Sequence, residues 1–197
     1  MVITIRLLKK TESDYQKALD FINKIAFSHY KCQPPPPPDV LFVAKNGEEI
    51  VGTTGLDLGE INKPLPLENI YNFDKAATPW PFQGEKIVQY GRWMVTVPGI
   101  ADALICSAAQ YGLAHGKTHT ISEAKDHIKL KLDQLGIDAR VIADAKLILE
   151  RISKDGLGYY LDPPPPKLYM MDLSQMVQAL GPGVARSVKS GFIEFEP

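Results

Sequence analysis

Polar and apolar positions divide the chain into short periodic stretches. Ile3, Ile5 and Leu7 alternate with other residues across Val2 to Leu8, the period of a strand. From Glu12 to about His29 the period lengthens, and Tyr15, Leu19, Ile22, Ile25 and Ala26 fall on one helical stripe. Thr11 is placed to cap that helix, with Asp14 three residues on as its capping-box partner. Val40 to Ala44 and Glu49 to Leu56 read as strands joined at Asn46-Gly47, a strong hairpin signal. Lys86 to Val97 is rich in Val, Ile, Tyr and Trp and reads as a strand. After Pro98-Gly99 the period changes, and Ile100, Leu104, Ala108, Tyr111 and Ala114 share a helical face that Gly116 ends. Thr118 to Glu123 is the next strand. Asp126 to Leu135 is expected as a short helix stopped by Gly136, Ala139 to Ala143 as a strand, and Asp144 to Ile152 as a helix. Gly158 to Leu161 reads as a strand or turn, and Leu168 to Leu173 as a strand. In the tail, Gly181-Pro182-Gly183 gives no clear element. The order is β–α–β–β–loop–β–α–β–α–β–α–β, a mixed sheet covered by helices.

Composition narrows the class. The chain has 197 residues, 45% hydrophobic and 23% charged, as expected of one globular domain over 1–197. A net charge of −1 gives no electrostatic case for nucleic acid or an anionic membrane surface. No apolar run reaches the ~18 residues of a membrane span. The start, MVITIRLLKK, lacks the order of a signal peptide. Cys32 and Cys106 have no metal-ligand spacing and are expected as free thiols in a reducing, cytoplasmic setting. His115 and His119 are separated by Gly116 and do not share a helix face, so no metal site is expected.

Three stretches could carry chemistry. The strand–Gly turn–helix around Gly99 offers free backbone N–H groups and the positive end of a helix dipole, which suits a phosphate or pyrophosphate. An ordinary crossover turn is the alternative. Pro34 to Pro38 favours a stiff polyproline II segment, read as a rigid loop ahead of a ligand for an aromatic groove. Asp57 to Gly84 has no period but holds many apolar residues, including Trp80 and Phe82. It is expected to pack down, either as a wrap or as a cover over a pocket.

The element order, from residue 2 to about 173, resembles the GNAT-like acyl-CoA N-acyltransferase fold. That resemblance implies an α/β (α+β) architecture with a mixed, mostly antiparallel sheet and helices on both faces. It implies that the strand Ile87–Val97 holds the donor's pantetheine through backbone groups, Met94, Val95 and Thr96 among them. The turn, with Gly99, Ile100 and Ala101, would hold the pyrophosphate. In the family's Arg/Gln-x-x-Gly-x-Gly/Ala signature, Thr96-Val97-Pro98-Gly99-Ile100-Ala101 keeps Gly99 and Ala101 and replaces the first residue by Thr96. Leu132, four residues before Gly136, stands where many members carry a tyrosine acid. Gln89-Tyr90-Gly91-Arg92 is similar to the Glu-Leu-Ser/Gly-Arg segment of acyl-homoserine-lactone synthases and of the thermostable-hemolysin-like group, with Gln89 in place of Glu. The Thr-x-Pro-Gly-x-Ala turn and the Gly-x-Tyr-Tyr at Gly158 are similar to the latter group.

The function the resemblance implies is transfer of an acyl group from acyl-CoA (acetyl-CoA) to a small amine, by a chain that could form a homodimer. Amine acylation needs a base for the ammonium proton and donors for the oxyanion. The fold-based placement puts Glu123 near the end of the strand adjoining the cleft, with Ser122 and His119 as neighbours. Glu123, Arg92 and Gln89 are the catalytic candidates. A mid-strand Arg92 must find a carboxylate, in the fold or on a substrate. Alternatives are an acyl-homoserine-lactone-synthase-like enzyme using acyl carrier protein and S-adenosylmethionine, or a GNAT-like binding module without catalysis.

Overall fold

The computed structural model describes residues 1–34 and 36–196; Pro35, inside the first proline run, and Pro197 lie outside the described residues. The elements are β1 (Ile3–Leu8), α1 (Ser13–Tyr30), β2 (Val40–Asn46), β3 (Glu49–Leu58), α2 (Pro66–Ile70), β4 (Tyr71–Asn72), β5 (Ile87–Val95) and α3 (Ala101–Ala114). They continue as β6 (His119–Ala124), α4 (Asp126–Gln134), β7 (Arg140–Val141), β8 (Lys146–Leu147), α5 (Leu157–Leu161), β9 (Lys167–Asp172), α6 (Leu173–Lys189) and β10 (Ile193–Phe195). Among the described residues, eight strands form one sheet in the order β10-β1-β2-β3-β5-β6-β9-β7, and β4 pairs with β8 apart from it. Within the large sheet, β1 with β10 and β5 with β6 are parallel; the other neighbours are antiparallel. Mixed and mostly antiparallel, the sheet has the expected character, and Val40 to Leu56 is the expected hairpin.

Both faces are covered, which explains why β2 is apolar at every step from Val40 to Ala44. Val40, Phe42 and Ala44 join the core under α3 and α6, while Leu41 and Val43 join the core under α1. A third cluster lies on the α1 side, where Leu65, Leu67 and Tyr71 pack on Ile87, Ile121, Leu168 and Met170.

Several local expectations need correction. α1 begins at Ser13 with Glu12, not Thr11, as its N-cap; the Glu12 carboxylate instead accepts from the Lys9 N–H at 2.8 Å. Asp144 to Ile152 is not a helix. Leu147 pairs with Tyr71 and the Ile148 N–H donates to Ile70 O at 2.8 Å, so α2 and β4 claim this backbone. Tertiary burial in the Leu65 cluster overrides helix propensity there. Ala139 to Ala143 contracts to the two residues of β7. Gly158 to Leu161 belongs to α5, which sits so close to the end of α1 that a Cβ on Gly158 would lie 2.1 Å from Tyr30 O. The tail packs: α6 is capped by the Asp172 carboxylate, which accepts from the Gln175 N–H at 2.7 Å, and buries Leu173, Met176, Leu180 and Val184.

Candidate active site

The sheet opens at its centre. β5 and β6 pair only from Ile87–His119 to Gln89–Ile121. Just past this point the Ser122 hydroxyl donates to Tyr90 O at 3.3 Å. Beyond it β5 follows β3 to Val95 and β6 follows β9 to Ala124. The cause is a bulge in β5. Thr53 faces Met94 and Gly55 faces Gly91, so β5 takes three steps where β3 takes two. Arg92 takes up the extra residue with φ 54°. A bulge bends its strand and raises its twist, and here it turns β5 away from β6. It also re-aims Arg92 onto the face occupied by Gln89 and Asp57.

One wall of the cleft is a buried polar network. The Arg92 guanidinium donates to Asp57 Oδ2 at 2.7 Å and to the carbonyl of Pro36. Arg92 O accepts from the Thr53 hydroxyl at 2.8 Å. Burial pushes the Asp57 carboxyl up, against the pull of Arg92. Gln89, directly across from Asp57, accepts from the Leu67 N–H at 2.7 Å and reaches Asp57 Oδ2 through its Nε2 at 3.4 Å. An amide suits this place: an ionised carboxylate at position 89 could not donate to Asp57 and would repel it. Arg92 and Gln89 are thus engaged with Asp57, a residue that sequence reasoning assigned only to the start of a loop. Two residues of the first proline run, Pro36 and Pro38, line this wall. Pro36 receives Arg92, and Pro38 packs so closely that a Cβ on Gly55 would lie 2.7 Å from its Cγ.

The other wall carries Glu123. Continuing the β5–β6 register would place it opposite Gly91, where an added Cβ would meet nothing within 4 Å. The Tyr160 hydroxyl donates to Glu123 Oε1 at 3.0 Å, and that of Tyr71 reaches Oε2 at 3.5 Å and Pro166 O at 3.4 Å. Burial pushes the Glu123 carboxyl up to about 7, although both hydroxyls and Arg92 pull it down. Behind it the fully buried Lys125 donates to Asp162 Oδ2 at 2.6 Å and to Asp162 O, with the rings of Tyr30 and Tyr159 at 5.1 and 5.2 Å from Nζ.

Ser122 and His119 are not partners of the Glu123 carboxylate. Ser122 alternates to the opposite face, and His119 lies at the far end of β6, its ring 5.3 Å from that of Trp80. Trp80 and Phe82 pack on the Leu65 cluster, away from the face that α3 covers. This removes them as a cover near the Gly99 turn; Leu67 and Tyr71 are the parts of that long segment that border the cleft. Leu132 is buried in the core with no polar role.

At the open end of β5, Thr96 is tied back to Val51 O through both its N–H (2.9 Å) and its hydroxyl (3.0 Å). Pro98 and Gly99 are exposed, and Gly99 has φ +87°. No side chain caps α3 at Ile100, so its first N–H groups remain unspent; the Asp102 carboxylate lies against Gly183 of α6. Ile100 and Ala101 are buried and face the turn only through backbone. Cys32 and Cys106 are buried free thiols. Among the described residues, no group of three or more His, Cys, Asp or Glu side chains could hold a metal ion, and no helix is long and apolar enough to cross a membrane.

A splayed parallel pair, a bulged central strand and a Gly turn leading into α3 define the GNAT-like acyltransferase fold. The sequence matches no family model and no curated protein. Solved structures do match. A CoA-dependent acyl-homoserine lactone synthase, BjaI, with SAM and isopentyl-CoA, aligns at TM-score 0.64 and 13% identity, over 98% of this chain and 93% of that one. FeeM, an N-acyl amino acid synthase from uncultured soil microbes, aligns at TM-score 0.60 and 14% identity, over 88% and 92%. A GNAT-family acetyltransferase from Staphylococcus aureus Mu50 aligns at TM-score 0.51 and 12% identity, over 86% and 99%. At these identities the likeness is one of fold. It extends past residue 173, where the sequence resemblance ended, because α6 and β10 complete the layers.

Proposed function

We propose that this chain is an N-acyltransferase that takes an acyl group from a thioester donor, acyl-CoA, and transfers it to a small amine. The observation that carries the reading is Glu123, a carboxyl raised to about 7 by burial where β5 and β6 part. A base near neutral pH suits proton removal from an attacking amine. A CoA-dependent acyl-homoserine lactone synthase and an N-acyl amino acid synthase among the structural neighbours support the same reading.

In this reading the donor's pantetheine runs along the free edge of β5 past Met94 and Val95, up to Thr96, whose N–H and hydroxyl are held by Val51 O. The pyrophosphate rests on the N–H groups of Gly99, Ile100 and Ala101, since Pro98 has none to give. The thioester carbonyl reaches the open space at Gly91. The amine attacks there and surrenders a proton to Glu123 as the N–C bond forms. Asp57, Arg92 and Gln89 hold β5 in its bulged course and act as positioning groups. Past Tyr71 a groove of about 690 Å³, lined by Ala139, Ile142, Ala145, Leu147 and Leu168, offers apolar room for a donor chain longer than acetyl.

Thiol release is the direct test, with acyl-CoAs of increasing length, a panel of small primary amines, and S-adenosylmethionine as a separate acceptor. Amine-dependent release is expected. Failure of every acyl-CoA to raise the melting temperature would count against any donor site. Gly99→Val is expected to weaken acyl-CoA binding at least tenfold by calorimetric titration, because a side chain strains φ +87° and meets Phe192 at 3.4 Å. Unchanged affinity in a folded variant would displace the pyrophosphate from this turn. Gly91→Val should leave the melting temperature within a few degrees, since its Cβ has room, yet lower turnover more than tenfold. Full turnover would show that the thioester does not pass Gly91.

A further inference from the structure

The acyl-transfer reading lacks an acid for the departing thiolate, because Leu132 is buried apolar packing. A phenol stands elsewhere in the cleft. We propose that Tyr160 is the catalytic acid that protonates the leaving thiolate, resupplied by Glu123 through the hydrogen bond between them; this rests on the acyl-transfer reading above.

The geometry separates Tyr160 from the other tyrosines of the cluster. Its hydroxyl is 3.0 Å from Glu123 Oε1, and its side chain is half-buried. Tyr71 is 3% exposed and divides longer contacts between Glu123 Oε2 and Pro166 O. Tyr159 turns its ring to Lys125. α5, which carries Tyr160, is pinned at its end: Lys125 holds both the backbone and the carboxylate of Asp162, the C-cap. Gly158 lets α5 press against Tyr30. A five-residue helix is thereby fixed well enough to aim a hydroxyl.

The protons balance. The amine nitrogen attacks the thioester carbonyl, and the adduct gives one N–H proton to Glu123. As the tetrahedral intermediate collapses, the C–S bond breaks and its electron pair leaves on sulfur. Tyr160 gives that sulfur its O–H proton, and Glu123 returns its own proton to the phenolate oxygen. The products are an amide and a thiol, and both residues end as they began. A phenol whose acidity burial has weakened is a poor donor alone. With Glu123 behind it the net donor is a carboxyl of about 7, and an alkyl thiolate, whose acid lies near ~8.5, accepts from it downhill.

Tyr160→Phe in the full chain tests this with two donors of equal acyl group: an acyl-CoA, and an aryl thioester whose more acidic thiol leaves without help. A loss of about 10²-fold in kcat is expected with acyl-CoA. The aryl thioester should lose less than a fifth as much. A melting curve confirms that the variant folds. If Tyr160 only held Glu123 in place, both donors would slow equally, and that result overturns the proposal, as does no loss with acyl-CoA. A wild-type chain inactive on both donors would instead overturn the acyl-transfer reading itself, and this inference with it.

Discussion

Glu123→Gln should lower kcat/KM by 10² to 10⁴ and abolish the rise of activity with pH through about 7. The base must be ionised to accept a proton, so wild-type activity climbs as pH passes that value. The same substitution should stabilise the protein above pH 7. The folded-state pKa of Glu123 is raised above its ordinary 4.5, so the folded form holds its proton more tightly than the unfolded form. Stability from this group is therefore full at low pH and is lost as pH rises from about 4.5 to about 7. Integrated over that window the loss is at most about 3 kcal/mol, and less where solvent reaches a half-buried carboxyl. Urea unfolding at pH 5 and pH 8 is the check. A variant more stable than wild type at pH 8 and equal to it at pH 5 is expected; no difference at pH 8 would show that Glu123 titrates normally.

Arg92→Met should cost about 3–5 kcal/mol, the largest stability loss foreseen for a single residue here. Its side chain is 3% exposed and that of Asp57 10%, so the substitution strands a buried carboxylate beside Gln89. Without the guanidinium, the Asp57 carboxyl rises further. The damage should thus be greater at pH 8 than at pH 5, where protonation relieves the unpaired charge. Asp57→Asn added to Arg92→Met should recover much of the loss, because an amide can lie neutral against Gln89. Denaturant midpoints for the two single variants and the double variant decide it. An Arg92→Met chain as stable as wild type would mean that the pair contributes nothing net.

What could be read from the chain divides along a physical line. β1, β2, β3, β5, β6 and α3 announce themselves through period and turn residues, which are local properties. The mixed character of the sheet followed from the order of the elements. α6 left a signal that Gly181-Pro182-Gly183 masked: Asp172 with Gln175 as a cap, then Leu173, Met176, Leu180 and Val184 at helical spacing. The candidate site was half legible. Glu123 followed from the family resemblance. Its partners did not, because Tyr71 is 52 residues away in sequence and Tyr160 is 37, and no local pattern marks either as facing a carboxylate. Asp57 looked like a loop residue because its role exists only across the strand pair with Gln89.

The parallel pairing of the first and last strands bears on the order of folding. Ile3 lies beside Ile193, and the Ile3 N–H donates to Phe192 O at 2.8 Å. Contacts between segments this far apart in sequence form slowly, because the whole loop between them must close first. The outer edge of β1 stays open until β10 docks against it. Phe192, which backs the Gly99 turn, arrives with β10. The turn proposed to grip the donor therefore gains its backing only when the segment carrying Phe192 and β10 docks on β1.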